Sequence, residues 1–162
     1  SHHTPMPTSP SEEEKRFVED IGLIMEEQGR PRIAGRILGW LLICEPPEQS
    51  FADLVAVLGV SKGSVSAMTR LLLEGGLIER VSVPGDRQTY YQMAPDAWSR
   101  VLTWIAERVR RMAEAADAGL ALVERRHPDA DHWRLREMRE LYRLVASGMP
   151  QMIEEFERAR RG

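Results

Sequence analysis

The sequence predicts a mainly α-helical chain that carries one two-stranded β-hairpin and ends in long helices. Two short helical patterns meet at a tight turn near Gly59, and a β-branched segment with a Pro-Gly turn follows them. Apolar residues then recur at steps of four and three from Trp98 to Val123. A length of 162 residues suits one compact domain with a helical extension. The expected divisions are a tail at residues 1–10, a first domain at 11–95 and a helical region at 96–162.

The tail is rich in Pro and Ser, so we expect it to be disordered, and Ser1 to His3 have the character of a tag remnant. A first helix should start after Ser11, which forms a capping-box pattern with Glu14. Pro31 suits the first turn of a second helix, expected from Arg32 to Glu45.

Two further features belong to this second helix. Pro46-Pro47 should end it, because proline cannot continue the helical hydrogen bonding. Gly35 and Gly39 lie four residues apart, and the absence of side chains there would let a neighbouring element approach closely.

A pair of short helices follows. Ser50 and Asp53 repeat the capping-box pattern and predict a helix that begins at Phe51, which Gly59 should end in the left-handed conformation. Ser61 should cap the next helix. The predicted buried stripe of that next helix consists of Val65, Met68 and Leu72.

The outward face of this next helix is small and hydroxylic, with a cation near each end. Short side chains permit close approach to a major groove, hydroxyls reach base edges or phosphates, and cations neutralise phosphates. Taken alone, the pattern fits a Ser-rich helix packed against another helix equally well. The candidate DNA-contacting residues are Ser61, Lys62, Gly63, Ser64, Ser66, Ala67 and Arg70.

The hairpin favours the DNA-binding interpretation. Gly75-Gly76 should stop the helix, residues 77–83 have strand character, and residues 88–93 return as the partner strand. Val83 to Asp86 match a type II turn, which places Arg87 at an exposed tip suited to a narrow minor groove. Helix, turn, helix and hairpin in this order make a winged helix-turn-helix. The candidate wing contacts are Pro84, Gly85, Asp86, Arg87 and Gln88.

Three segments carry a family resemblance: Gly35-Arg-Ile-Leu-Gly-Trp-Leu-Leu, Ser61-Lys-Gly-Ser-Val-Ser and Val83-Pro-Gly-Asp-Arg-Gln-Thr-Tyr-Tyr. They resemble the MarR superfamily, and most of all the branch typified by the repressor of glycine-betaine synthesis. The resemblance covers residues 15–125 and implies a dimeric bacterial transcription factor. It also implies a recognition helix at Lys62 to Glu74 and a wing at Val81 to Tyr91. The superfamily's wing often carries a second Arg after the tip, where this chain has Gln88 and Thr89, so fewer wing contacts are expected.

The net charge of −3 is not that of a protein that coats nucleic acid without sequence preference. Residues 1–29 hold two basic and seven acidic side chains, and the rest of the chain is nearly balanced. Phosphate affinity must therefore come from a local patch, and strong salt dependence is expected. The candidates for this patch are Arg30, Arg32, Arg36, Lys62, Arg70 and Arg87.

The apolar steps after residue 96 form a heptad seam, which is typical of a helix that packs lengthwise on partners. A last helix should follow His127-Pro128, and Gly148 to Pro150 should break or kink it. The two long helices could form an intramolecular bundle, but the length of the seam favours a dimer interface. The candidate dimerisation residues are Trp98, Leu102, Ile105, Val109, Met112, Tyr142, Met149 and Phe156.

Three other features have two interpretations each. Cys44 lies in an apolar run and is more simply a buried hydrophobe than a redox-sensing thiol. The segment His127 to His132 contains two His and two Asp and suits a loop with a helix cap better than a metal site. Trp40, Trp98 and Trp104 either fill the core or line a pocket for an apolar or quaternary-ammonium ligand.

The expected function is sequence-specific transcriptional regulation. We expect a homodimeric repressor on a pseudo-palindromic operator, released by a small-molecule effector. The alternative is a winged-helix module that binds another protein and not DNA.

The sequence contains no Ser/His/Asp arrangement, no Gly-rich phosphate loop and no firm metal motif, so no enzyme activity and no cofactor are expected. No apolar stretch reaches membrane-spanning length and no signal peptide opens the chain, so a cytoplasmic location is expected.

Overall fold

The computed structural model describes residues 9–162, and the predicted disorder and tag remnant at residues 1–8 lie outside the described residues. The described chain is mainly α-helical, with one small antiparallel sheet. It divides into two compact units, a first unit that ends at Ala97 and a second unit that begins at Trp98. The elements are α1 (Glu12–Glu27), α2 (Arg32–Ile43), β1 (Gln49–Ser50), α3 (Phe51–Leu58), α4 (Lys62–Glu74), β2 (Ile78–Val81), β3 (Tyr90–Met93), α5 (Ala97–Arg126) and α6 (Trp133–Arg161).

Three predicted helix starts are confirmed by hydrogen bonds at the N-cap. The Ser11 hydroxyl accepts from the Glu14 backbone N–H, and the Glu14 carboxylate accepts from the Ser11 N–H. Ser50 and Asp53 form the same reciprocal pair at 3.0 and 2.8 Å. Ser61 accepts from a backbone N–H in the first turn of α4. Each cap satisfies a donor that the helix itself leaves unpaired and so fixes where the helix begins.

The backbones of α1 and α2 nearly touch, because glycines line their contact. A Cβ atom at Gly35 would lie 2.8 Å from the Gly22 Cα, and one at Gly39 would lie 3.2 Å from the Val18 Cα. The predicted close approach at Gly35 and Gly39 is thus confirmed. The buried apolar core of the first unit consists of Val18, Met25, Ala34, Ile37, Leu38, Trp40, Leu41, Cys44, Leu54, Leu58, Val65, Leu72, Leu77, Ile78, Tyr90, Tyr91 and Ala97.

The sheet has three strands in the order β1-β3-β2, where the sequence predicted two. The additional strand, β1, pairs Gln49 with Tyr91. It consists of two residues and therefore shows no alternating pattern in the sequence. The two predicted strands are also shorter than expected, so a loop of eight residues, 82–89, joins β2 to β3. We call this segment the wing loop.

In the second unit, α5 and α6 contact each other at two separate points. The Ser99 hydroxyl donates to the Glu157 carboxylate at 2.6 Å, and a Cβ atom at Gly119 would lie 3.1 Å from Leu135 Cδ2. These contacts join the start of α5 to the end of α6 and the end of α5 to the start of α6, so the helices run antiparallel. The predicted break near residues 148–150 is wrong, since α6 continues through Pro150. A proline removes one backbone donor, and the rest of a 29-residue helix remains hydrogen-bonded.

Cys44 is buried, as predicted, and its thiol faces backbone carbonyl oxygens. Its Sγ lies 3.5 Å from the Pro47 oxygen, and the residue is 5% exposed. Removal from water raises the pKa of the thiol to about 12, because burial disfavours the charged thiolate.

Neither a metal-binding cluster nor a single membrane-spanning helix occurs among the described residues. No group of three or more His, Cys, Asp or Glu side chains there could hold a metal ion. In the segment His127 to His132, Asp131 accepts instead from Arg136. No single described helix is long and apolar enough to cross a membrane, and the pair α3 and α4, bent by 116°, passes only by length and composition.

Candidate nucleic-acid interface

One side of α4 is held in the first unit, which leaves the opposite side outward. Val65, Thr69 and Leu72 are buried, and α4 contacts α2, α3 and β2. Thr69 was not predicted in this stripe. Its hydroxyl donates to the Val65 backbone oxygen at 2.8 Å, which satisfies the polar group inside the helix. Met68, predicted as buried, is half-buried.

The outward side of α4 matches the prediction at five positions and departs from it at others. Ser64 is half-buried, and the Ser61 hydroxyl donates to its Oγ at 2.9 Å, so Ser64 belongs to the helix cap as much as to the outward face. Leu71 and Glu74 are exposed and were not predicted. Their spacing of four from Ala67 and Arg70 is the signal that identifies them. The predicted residues that are fully outward are Lys62, Gly63, Ser66, Ala67 and Arg70.

A shallow groove borders this face. Its volume is about 620 Å³, and it separates the start of α2, at residues 31–33, from the first two turns of α4. Gly63 and Ala67 form part of its wall. The groove leaves the first turns of α4 accessible from the side of α2.

The six basic residues predicted to form one patch differ in whether they form ion pairs. Lys62, Arg70 and Arg87 are exposed, and none of them forms an ion pair with another described residue. In contrast, Arg32 and Arg36 both pair with Glu19 on α1. The remaining member, Arg30, is exposed. Pairing with a carboxylate neutralises a cation locally. Of these six residues, the three exposed ones without an ion pair lie on α4 and on the wing loop.

Arg36 has a structural contact as well. Its Nη2 donates to the Leu58 backbone oxygen at 3.1 Å, near the end of α3. The Nε atom lies 3.3 Å from a Glu19 oxygen. Arg36 therefore ties α1, α2 and α3 together. The sequence predicted it as a phosphate contact from its charge and did not reveal its partner Glu19.

The wing loop contains the predicted type II turn. The Asp86 backbone N–H donates to the Val83 oxygen at 3.0 Å, and Gly85 has a φ of +81°. The Asp86 carboxylate accepts from the Gln88 N–H at 2.8 Å and from the Tyr90 hydroxyl at 2.6 Å. Tyr90 is 1% exposed, so these bonds anchor the loop to the core of the first unit. The exposed residues of the predicted tip are Pro84, Gly85, Arg87 and Gln88.

The three tryptophans of the predicted pocket are divided between the two units: Trp40 lies in the first unit, and Trp98 and Trp104 lie in the second. Trp40 is buried in the first unit, where its indole N–H donates to the Gln49 side chain at 3.0 Å, and it borders a cleft of about 560 Å³. Trp104 borders a groove of about 490 Å³ along α5, together with Met112. Trp98 is 48% exposed.

The predicted dimerisation residues differ in how much surface they offer. Val109 and Met149 are already buried within one chain, so they leave little area for a partner. Leu102, Met112, Tyr142 and Phe156 are half-buried, and Trp98 and Ile105 are each 48% exposed. A further apolar surface lies on one side of α6, where Leu141, Leu144, Val145 and Met152 are exposed. Val145 and Met152 follow the heptad spacing predicted for this helix, whereas Leu141 and Leu144 were not predicted. We call these four residues the α6 stripe.

Two family models match the chain. One, described as an MmpR5-like MarR family transcriptional regulator, matches residues 96–160, which hold α5 and most of α6. The other, described as MarR family, matches residues 28–88, which hold α2, α3, α4 and β2. The two matches together include the outward face of α4, most of the wing loop and the α6 stripe.

Individual proteins are similar to the chain as well. The chain is 43% identical over 128 residues to the HTH-type transcriptional regulator MmpR5 of Mycobacterium tuberculosis (strain ATCC 25618 / H37Rv), which covers 77% of this chain and 75% of that protein. It is 26% identical over 93 residues to the HTH-type transcriptional repressor OpcR of Bacillus subtilis (strain 168), covering 57% of this chain and 50% of that protein. A solved structure titled as a transcriptional regulator has a TM-score of 0.59 and 36% identity, covering 90% of this chain and 99% of the other.

Proposed function

The chain belongs to the MarR family of DNA-binding transcriptional regulators, and from that premise we propose that it is a repressor whose α4 and wing loop contact the operator. The observation that carries this proposal is the placement of free positive charge. Lys62, Arg70 and Arg87 are exposed on these two elements and form no ion pair with another described residue. Cations without a protein partner are available to phosphates and base edges.

The proposal that the protein is a repressor rests on less evidence than the proposal that it binds DNA. One of the Bacillus subtilis relatives, OpcR, is named a repressor. A protein that occupies a promoter through a dimer excludes other proteins from it by volume alone. We also propose that the chain belongs to the branch typified by the repressor of glycine-betaine synthesis, and the sequence motifs of α4 and the wing loop support this membership.

The proposed active form is a homodimer on a pseudo-palindrome. The α6 stripe gives the second unit an apolar surface that one chain leaves in water, which is typical of a protein interface. A two-fold dimer presents two copies of α4, which can enter successive major grooves when they are roughly 34 Å apart.

The DNA interface can be tested with the two lysines of the chain, Lys62 and Lys15. Lys15 is exposed on α1 and pairs with Glu12, so Lys15→Ala is a matched control. We expect Lys62→Ala to weaken binding to every duplex and to reduce the slope of log K against log salt by about one unit. The measurement is fluorescence anisotropy of labelled duplexes, chosen from genomic fragments that the parent protein retains, over a salt series.

Two outcomes would contradict the assignment. One is that Lys62→Ala and Arg87→Ala both bind duplex as tightly as the parent at physiological salt. The other is that the parent shows no salt-sensitive duplex binding, which would favour a winged-helix module that binds protein.

We also propose a small apolar or cationic effector that lowers operator affinity. The support is the cleft beside Trp40 and the groove beside Trp104, since indole rings bind apolar and quaternary-ammonium groups. A trimethylammonium compound should cause the protein to release DNA and should shift its tryptophan emission, and both effects should occur over the same range of concentrations. Trp104→Leu keeps an apolar side chain and should abolish that release. If Trp98→Leu and Trp104→Leu stay folded and release DNA at the parent's effector concentration, both tryptophans are packing residues.

A further inference from the structure

The outward face of α4 consists of two parallel rows. Residues four apart lie one above the other on a helix, so each row runs along the helix axis. The polar row consists of Lys62, Ser66, Arg70 and Glu74. The apolar row consists of Gly63, Ala67 and Leu71. All seven residues are exposed, and Leu71 is 43% exposed.

Packing within the chain does not explain the apolar row. A Cβ atom at Gly63 would have the Ser61 hydroxyl as its nearest described neighbour, 4.0 Å away, so no described residue requires a glycine there. Glycine is less favourable in a helix than alanine, because it loses more conformational freedom on folding. Leu71 likewise leaves a large apolar side chain in water. A partner that approaches closely at Gly63 and offers apolar groups farther along α4 accounts for both features.

The polar row indicates the chemistry of that partner. Lys62 and Arg70 place positive charge directly beside the apolar row. A surface with alternating cationic and apolar contacts fits the major groove, where phosphates line the edges and the thymine C5-methyl is the main apolar group on the base edges. Alanine and leucine side chains neither donate nor accept hydrogen bonds, so they select bases only by apolar contact and shape.

Resting on the proposed DNA-binding function, we propose that Ala67 and Leu71 select thymines in the operator through their C5-methyl groups. The rise of a helix places the two residues about 6 Å apart along its axis. Base pairs in B-DNA are about 3.4 Å apart along its axis, and a helix in the major groove is inclined to that axis, so the two contacted A·T pairs lie within about two steps of each other in each half-site.

Deoxyuridine in place of thymine tests this directly, because it removes the methyl group and keeps the base pair. Each thymine of a retained operator is replaced in turn, and binding is measured by anisotropy. For the parent, uracil at the contacted position should weaken binding about fourfold, the effect of losing one buried methyl group. For Leu71→Ala, the thymine operator should bind more weakly, and uracil at that position should have no further effect. Such non-additivity is the signature of a direct contact.

Two variants complete the design. Leu23→Ala removes a leucine of similar exposure from α1, so it should keep the parent's affinity and the full uracil effect. Ala67→Gly should lose the uracil effect at a second thymine, within about two steps of the first. Leu71 is exposed, so Leu71→Ala should fold, and circular dichroism checks this.

The outcomes separate the inference from the proposed function. If the parent prefers its operator over scrambled DNA but no thymine shows coupling to Leu71 or Ala67, the inference is wrong and the DNA-binding function stands. If the parent shows no preference for its operator at all, both are wrong. Coupling of one thymine to Leu71 and of another to Ala67 supports both.

Discussion

At the scale of the residue, buried polar side chains hold the first unit together. Gln49 accepts from the Trp40 indole N–H and donates to the Pro46 oxygen at 2.9 Å, so it joins α2, the loop after it and β1. Gln49 has no accessible surface, and a buried amide without partners would cost about 1–3 kcal/mol. The Trp40 indole N–H therefore has a structural partner, and any effector at the neighbouring cleft would meet Trp40 through its ring.

Cys44 gives a prediction at this scale. Burial raises the pKa of its thiol from 9.0 to about 12, so the folded protein should react with an aromatic disulfide reagent at pH 8 about a thousandfold more slowly than a free thiol. Denaturant should remove this protection. The folded state also retains a proton that the unfolded state loses above pH 9, so Cys44 should lower stability as pH rises from about 9 towards 12.

The measurements are the absorbance change of the reagent with time and urea unfolding at several pH values. Cys44→Ala is the matched control, because it should lose only the part of the pH dependence due to the thiol. A thiol that reacts at the free rate in native buffer would instead identify Cys44 as a candidate redox sensor.

At the scale of the element, the helix starts and the hairpin could be predicted from sequence, and the first strand of the sheet could not. The caps at Ser11, Ser50 and Ser61 depend on bonds between residues three apart, which the sequence displays directly. The strand β1 depends on its pairing with Tyr90 and Tyr91, forty residues away, which no local pattern contains. The continuity of α6 through Pro150 depends on the whole helix and overrides a strong local breaker.

The candidate site divides in the same way. The cap at Ser61 and the turn at Gly85 were predictable, because both follow from local geometry. The neutralisation of Arg32 and Arg36 was not, because Glu19 comes from another helix. Charge type identifies a candidate phosphate contact, and only the fold shows whether that charge is already paired.

At the scale of the whole molecule, the proposed dimer depends on surface that one chain leaves exposed. Leu144 is 63% exposed, and together with Leu141, Val145 and Met152 it forms the α6 stripe. A single chain tolerates a charge at such a position, whereas a dry interface does not, since an uncompensated buried charge costs about 3–5 kcal/mol.

Leu144→Glu should therefore give a folded monomer, where the parent sediments as a dimer at micromolar concentration. Arg143→Glu introduces the same side chain at the adjacent exposed position, which points to another side of α6, and it should leave the dimer intact. Loss of operator binding should accompany dissociation, because two half-sites are then no longer read together. A parent that sediments as a monomer at that concentration would contradict the dimer.

The glycine-lined contact between α1 and α2 has a consequence for how this protein can change over generations. A methyl group at Gly35 would meet the backbone of Gly22, and one at Gly39 would meet the backbone of Val18. A methyl group at Gly22 would meet the Arg36 side chain and the Arg32 backbone oxygen on α2. An alanine at any one of these sites requires the helices to separate, which opens gaps at the other two. Substitutions at the three glycine positions are therefore coupled. We expect related sequences either to keep all three glycines or to replace several of them together, with a different distance between the two helices.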